Sequence, residues 1–284
     1  MMMKMGTNKK LTKFRKILIY FWMMVLPITF NWMSPVLIIM GGFEGYITMS
    51  FVVFSAWFIS SLFLGRAYCG YACQWGAAQE VLGDVVPKKL DPSKKKRNRK
   101  IKYGVFVVWI LFVILGPILA GGFINGINIF YPGEVSDPLS LISFDPSAIG
   151  QLIFYFGILG SVVVLFVLVG GQRAFCNYAC PMSVLGIIGT KIMNVLKYPG
   201  LHLEADKGEC TQCKQCSKAC VMSLNVHDLV QSECMYDPDC ILCGSCVSTC
   251  PQDVISYSWA WKTRIHSKKE KPFKELVNIE HPQY

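Results

Sequence analysis

Eight cysteines late in the chain fall into two runs with the same spacing. They are Cys210-x2-Cys213-x2-Cys216-x3-Cys220 and Cys240-x2-Cys243-x2-Cys246-x3-Cys250, the second followed by Pro251. Three thiolates two residues apart can turn inward from one tight loop and hold a face of an iron–sulfur cube, leaving loop N–H groups toward the sulfides. Where two such runs share a small domain, the fourth cysteine of each ligates the other cluster. The runs thus predict one [4Fe–4S] cluster on Cys210, Cys213, Cys216 and Cys250, and another on Cys240, Cys243, Cys246 and Cys220. Zinc also takes four thiolates, but its sites use cysteine pairs with a long separation rather than two runs of four. Val221 stands where Pro251 stands in the other run, and the ligands are intact.

A second constellation lies upstream. Arg66–Gly76 reads RAYCGYACQWG and Arg173–Ser183 reads RAFCNYACPMS, so Cys69-x3-Cys73 recurs as Cys176-x3-Cys180. Residues i and i+4 share a helix face, so the two blocks could present four thiols to one soft-metal site or a further iron–sulfur site. Pro181 disfavours helical backbone at Cys180, which could instead cap a following helix, where the N-terminus favours thiolate. The plain alternatives are packing residues or a reversible disulfide, a permanent one not being expected in a reducing cytoplasm. Cys234 fits neither pattern and is expected to be a free buried thiol. The four histidines, His202, His227, His266 and His281, all lie beyond the apolar stretches, so no haem is expected within them. No acid, base or nucleophile is arranged for bond-making catalysis. Any enzymatic role is expected to be that of an oxidoreductase subunit.

The elements around these cysteines are apolar. Of the 284 residues 53% are hydrophobic and 16% charged, against about 25% charged in soluble domains. Four stretches, Ile17–Met40, Tyr46–Leu64, Tyr103–Ala120 and Gln151–Val169, reach the roughly 20 residues that a bilayer requires. The first is too long for a signal-peptide core and reads as a retained span. Lysines and arginines are absent from 17–65 and 103–172, and gather before the first stretch and between the second and third. Glu44, Glu134, Asp137 and Asp145 sit in the other two loops. The positive-inside rule therefore predicts a multi-pass protein of a prokaryotic cytoplasmic membrane with both termini cytoplasmic. The net charge of +10 belongs to that asymmetry rather than to a nucleic-acid surface. Ionisable groups are nearly absent inside the stretches, which argues against a proton wire.

Each C-x3-C block closes a hairpin and precedes an amphipathic stretch, Ala77–Val86 or Val184–Leu196, suited to the membrane surface. The predicted architecture is a membrane α-helical protein: a bundle of four transmembrane helices in two parallel hairpin repeats over 1–200. A small α+β ferredoxin domain of the bacterial two-cluster type follows over 201–258, and a basic tail over 259–284.

On the twin C-x2-C-x2-C-x3-C runs and the repeated C-x3-C blocks, the chain resembles the NapH-type membrane ferredoxins and the related membrane module of NosR-like and CcoG-like proteins. That family usually has C-x3-C-P. The second block keeps it at Cys180-Pro181, and the first has Cys73-Gln74. The resemblance implies a membrane-bound electron-transfer subunit linking the quinone pool, or a membrane redox partner, to iron–sulfur carriers of a respiratory reductase. The alternative it implies is a redox assembly or regulatory factor, such as one reducing a metal for a respiratory enzyme. CcoG-like relatives usually carry a further C-terminal domain, so the subunit role is the preferred expectation.

Overall fold

A computed structural model describes residues 6–29, 31–85, 89–90, 92–122, 126–128, 157, 160–196 and 199–260. Most of the acidic loop 121–150, the start of the fourth apolar stretch and the tail beyond 260 lie outside the described residues.

The first apolar stretch is not one continuous helix. It forms helix Gly6–Thr29, a 3-10 turn Asn31–Met33 and helix Pro35–Phe43. Pro35 lacks an amide donor and bars helical backbone at the residue before it, and Ser34 is accordingly extended, with φ −95° and ψ 118°. Helix Met49–Leu64 follows and stops at Gly65, whose φ is 56°. The basic loop and the third stretch merge into one long helix, Pro92–Leu119. Its segment Lys100–Leu119 is, among the described residues, the one helix long and apolar enough to cross a membrane alone, and only 17% of its most apolar window is buried. The fourth stretch contributes helix Gly160–Gly170.

Small residues let these helices approach. A Cβ on Gly42 would lie 3.1 Å from the Pro117 ring, and one on Gly116 would lie 3.0 Å from the Phe43 backbone, so helix Pro35–Phe43 packs flush on the long helix. Ile47–Thr48, at the start of the second apolar stretch, pairs in parallel with Ile127–Asn128 of the 121–150 loop.

The ferredoxin half is closed by antiparallel strands Gly200–Ala205 and Ile255–Ala260, in register from Gly200↔Ala260 to Ala205↔Ile255. The second strand thus runs two residues into the expected tail. Between the strands lie the cysteine loops and short helices Gln215–Ala219, Val226–Gln231 and Ser245–Thr249. The halves of this unit repeat in backbone as well as in sequence. Gln212 and Leu242 have φ of 56° and 52°, Lys214 and Gly244 56° and 76°, and Ser223 and Asp253 53° and 50°. Left-handed residues are costly outside glycine. Their recurrence at matched positions is what turns three nearby thiols to one side of each loop.

Candidate functional site

The two cysteine runs line two separate cavities. One is walled by Cys210, Cys213, Cys216 and Cys250, with His227 and Lys214 also in its lining. The other is walled by Cys220, Cys240, Cys243 and Cys246, with Leu203, Met222 and Ile241 among its apolar lining. In both cavities the fourth cysteine comes from the other run. Among the described residues no three metal-binding side chains close tightly enough to hold a single ion. No disulfide joins any of the thirteen cysteines.

The environments of the two sets differ. Cys213 is exposed and its three partners half-buried, whereas Cys220, Cys243 and Cys246 are buried. Burial pushes the Cys240 thiol up to about 12 and raises Cys246 well above the ordinary thiol value. A bare thiolate is disfavoured there, so deprotonation at neutral pH would be coupled to metal binding. Cys234 is half-buried rather than buried, and it lines neither cavity.

The C-x3-C cysteines do not sit one turn apart on a single helix. Helix Ala67–Tyr71 holds Cys69 and ends at Ala72, and helix Ala174–Tyr178 holds Cys176 and ends at Ala179. Both end residues have φ −123°, with ψ of −6° and −20°. The chain then turns, and Cys73 and Cys180 directly precede helices Gln74–Val85 and Pro181–Val195, each with more than half of its residues buried. Cys180 is the extended N-cap that Pro181 demands. The four thiols nonetheless lie within electrostatic reach of one another. Burial first, then neighbours Cys69 and Cys176, pushes Cys73 up to about 12. Burial, then Cys176, Cys73 and Cys69, raises Cys180. Fully buried Gln79 joins the repeats, donating to Cys176 Sγ at 3.2 Å and accepting from Phe175 N–H at 3.0 Å.

Around this quartet lie two buried carboxylates that sequence reasoning did not single out. Arg15 Nη2 donates to both Glu80 oxygens at 2.7 and 2.6 Å, and Arg173 Nη2 donates to Glu80 Oε2 at 2.6 Å. Arg15 also bonds Gly70 O at 2.9 Å, and Arg173 bonds Cys69 O at 2.8 Å. Burial alone would raise the Glu80 carboxyl, yet Arg173 and Arg15 hold it below the usual carboxylate range. The second carboxylate is Asp239. Lys102 Nζ bonds it and Arg66 approaches it at 3.8 Å while donating to Pro238 O at 2.8 Å. Arg15 and Lys102, which the sequence placed among the basic residues beside the apolar stretches, are 1% and 0% exposed. The only sequence signals were small ones: Glu80 is the acid of the first surface stretch before Asp84, and Asp239 directly precedes Cys240.

Comparison with known proteins agrees with this chemistry. A model described as a 4Fe-4S binding domain matches residues 46–97 and 153–188, which hold both C-x3-C blocks, and a 4Fe-4S dicluster domain matches 209–255. Ferredoxin-type protein NapH of Haemophilus influenzae is 25% identical over 68% of this chain and 62% of its own length. The resemblance is to the NapH-type ferredoxins. The Escherichia coli NapH is likewise 25% identical, over 70% of this chain and 63% of its own length. The match to these NapH proteins thus spans less than two thirds of their length. An uncharacterized protein of Methanocaldococcus jannaschii is 27% identical over 72% of this chain and 77% of the relative. No solved structure matches the chain. The NapH-like chain is an iron–sulfur electron-transfer protein.

Proposed function

We propose that this NapH-like chain is a multi-pass subunit of a prokaryotic cytoplasmic membrane. It passes electrons between the quinone pool, or a membrane redox partner, and iron–sulfur carriers of a respiratory reductase. The observation that carries this reading is the pair of cavities, each with three cysteines from one run and the fourth from the other. Cys210, Cys213, Cys216 and Cys250 would hold one [4Fe–4S] cluster, and Cys240, Cys243, Cys246 and Cys220 the other. The clusters supply the one-electron chemistry. The chain supplies what tunes it: burial, loop N–H groups and fixed charge.

Cys69, Cys73, Cys176 and Cys180 would hold a third iron–sulfur or soft-metal group. Arg15, Arg66, Lys102 and Arg173 against Glu80 and Asp239 give these six buried groups two more positive than negative charges. A thiolate-bound group is anionic and would offset that excess, whereas four protonated thiols would not. The termini and the loop before the long helix are assigned to the cytoplasmic side. The clamps support this, since Arg15 and Lys102 from the starts of two helices converge on that side with the ferredoxin half.

Anaerobic purification should give about eight irons and eight sulfides from the two cubes, plus the metal of the third group. Cys69→Ser and Cys180→Ser should remove only that extra metal and slow quinol-driven reduction. Zinc without labile sulfide would overturn the iron–sulfur reading. Full metal content and full rates in both variants would reduce the quartet to packing.

A further inference from the structure

The two cluster cavities share a design, yet the helical half holds only one of them. Every ligand of the Cys240 set is fixed or flanked from that half. Lys89 Nζ donates to Cys220 O at 3.5 Å, and Leu90 N–H donates to Ser223 Oγ at 3.2 Å. Asp239, beside Cys240, is gripped by Lys102 and Arg66. The Cys243 loop lies on the first C-x3-C block: a Cβ on Gly70 would stand 2.6 Å from Ile241 O and 3.4 Å from Cys243 Cα. Gly70 lies directly after Cys69 in the chain, and its own carbonyl is held by Arg15. Helix Ser245–Thr249, which carries Cys246, packs on helix Gly6–Thr29. Tyr71, in the same block, meets Tyr257 at 3.2 Å, and Tyr257 donates to Leu242 O at 2.7 Å. Both cavities are themselves lined by the ferredoxin half, over residues 203–246 and 210–255, so the difference lies in what packs behind the loops.

We propose that electrons enter and leave the ferredoxin half on its membrane side through the cluster held by Cys220, Cys240, Cys243 and Cys246, across the Gly70 contact. Asp239 is the positioning residue that seats this loop. The inference rests on the iron–sulfur reading above. Each crossing moves one electron: the donor side is oxidised by one unit and the acceptor side reduced by one, with no bond or proton transferred. The Cys210 cluster, with its exposed Cys213, then faces a soluble iron–sulfur carrier. Gly70 has a physical reason to be glycine, since any side chain would push the Ile241 carbonyl and separate the two redox sites. Asp239 acts through charge: without it, Arg66 and Lys102 lose the carboxylate that draws the loop inward.

The full-length protein, purified without air in detergent, tests this with Gly70→Ala, Asp239→Asn and Asp239→Glu. Paramagnetic resonance and redox titration of each cluster are read beside iron content. Cys213→Ser and Cys243→Ser assign the two signals. In Gly70→Ala and Asp239→Asn the Cys240-set signal and midpoint potential should shift and reduction by a quinol analogue should slow. The Cys210-set signal should stay in place, with iron retained. Asp239→Glu should restore the parent behaviour. A shift confined to the Cys210 set, or no change in either signal with iron retained, would overturn the ordering. If Gly70→Ala does not fold, Asp239→Asn with its glutamate rescue decides alone by the same signals. Loss of quinol reduction already in the parent, with the Cys240-set shift still present, would refute the quinone link while supporting the ordering.

Discussion

The two cysteine loops of the ferredoxin half are near copies thirty residues apart, with the same spacing and matched left-handed residues at three positions. Their surroundings are nonetheless opposite. The Cys240 loop is buried against the helical half, clamped through Asp239 and roofed by apolar side chains. The Cys210 loop faces outward with Cys213 exposed and with Lys214 and His227 at its cavity. Cluster potential depends on burial, hydrogen bonds and nearby charge, so clusters held in two loops of unequal burial would be carriers with unequal roles. The C-x3-C repeat teaches the same lesson. Arg66 and Arg173 hold matched positions, but Arg173 bonds Glu80 in helix Gln74–Val85 and Arg66 reaches Asp239 in the ferredoxin half. Position 187, the counterpart of Glu80, is isoleucine. A carboxylate from another part of the chain takes that place.

The sharpest way to break the comparison is to remove one ligand from each loop. Cys243→Ser and Cys213→Ser should each cost about half of the iron and sulfide that the two ferredoxin clusters contribute. Only Cys243→Ser should also loosen the ferredoxin half from the helices, read as faster hydrogen exchange in residues 240–250. Equal loosening by both would erase the distinction.

Next in size is the clamp. Glu80→Gln leaves two buried guanidinium groups without their carboxylate and should destabilise the protein by about 3–5 kcal/mol, measured by thermal unfolding in detergent. The same clamp sets a pH limit. The folded Glu80 carboxyl lies below its ordinary value, so its contribution is complete above the usual glutamate pKa of about 4.3. It is lost as pH falls through the lower, folded value. Unfolding on acidification should therefore flatten in Glu80→Gln relative to the parent.

A smaller effect is kinetic. An iron chelator should strip the Cys210 set before the Cys240 set, because the exposed Cys213 offers a route that the buried cysteines do not. Loss at equal rates would count against the burial difference. Smallest is Tyr257→Phe, which removes the bond to Leu242 O and should cost about 0.5–1.5 kcal/mol. It should broaden the Cys240-set signal alone.

The sequence by itself determined what is local. Ligand spacing over two or three residues dictates a loop that turns thiols inward, so the iron–sulfur chemistry was legible from Cys210 to Cys250, and the cysteines grouped by spacing line the same two cavities. Pro181 announced the cap at Cys180, and the recurrence of R-A-aromatic-C announced the paired blocks. Tertiary structure decided what depends on distant packing. Pro35 was visible, but the break it makes in the first apolar stretch was hidden by unbroken hydrophobicity. Arg15 and Lys102 counted in the sequence only toward the charge asymmetry, and they are buried against Glu80, 65 residues from Arg15, and Asp239, 137 from Lys102. Composition cannot pair charges over such separations. Which cluster loop faces the helices was decided in the same way. Two loops with one spacing look alike along the chain, and only the glycine-sized gap at Gly70 and the carboxylate of Asp239 draw one of them in.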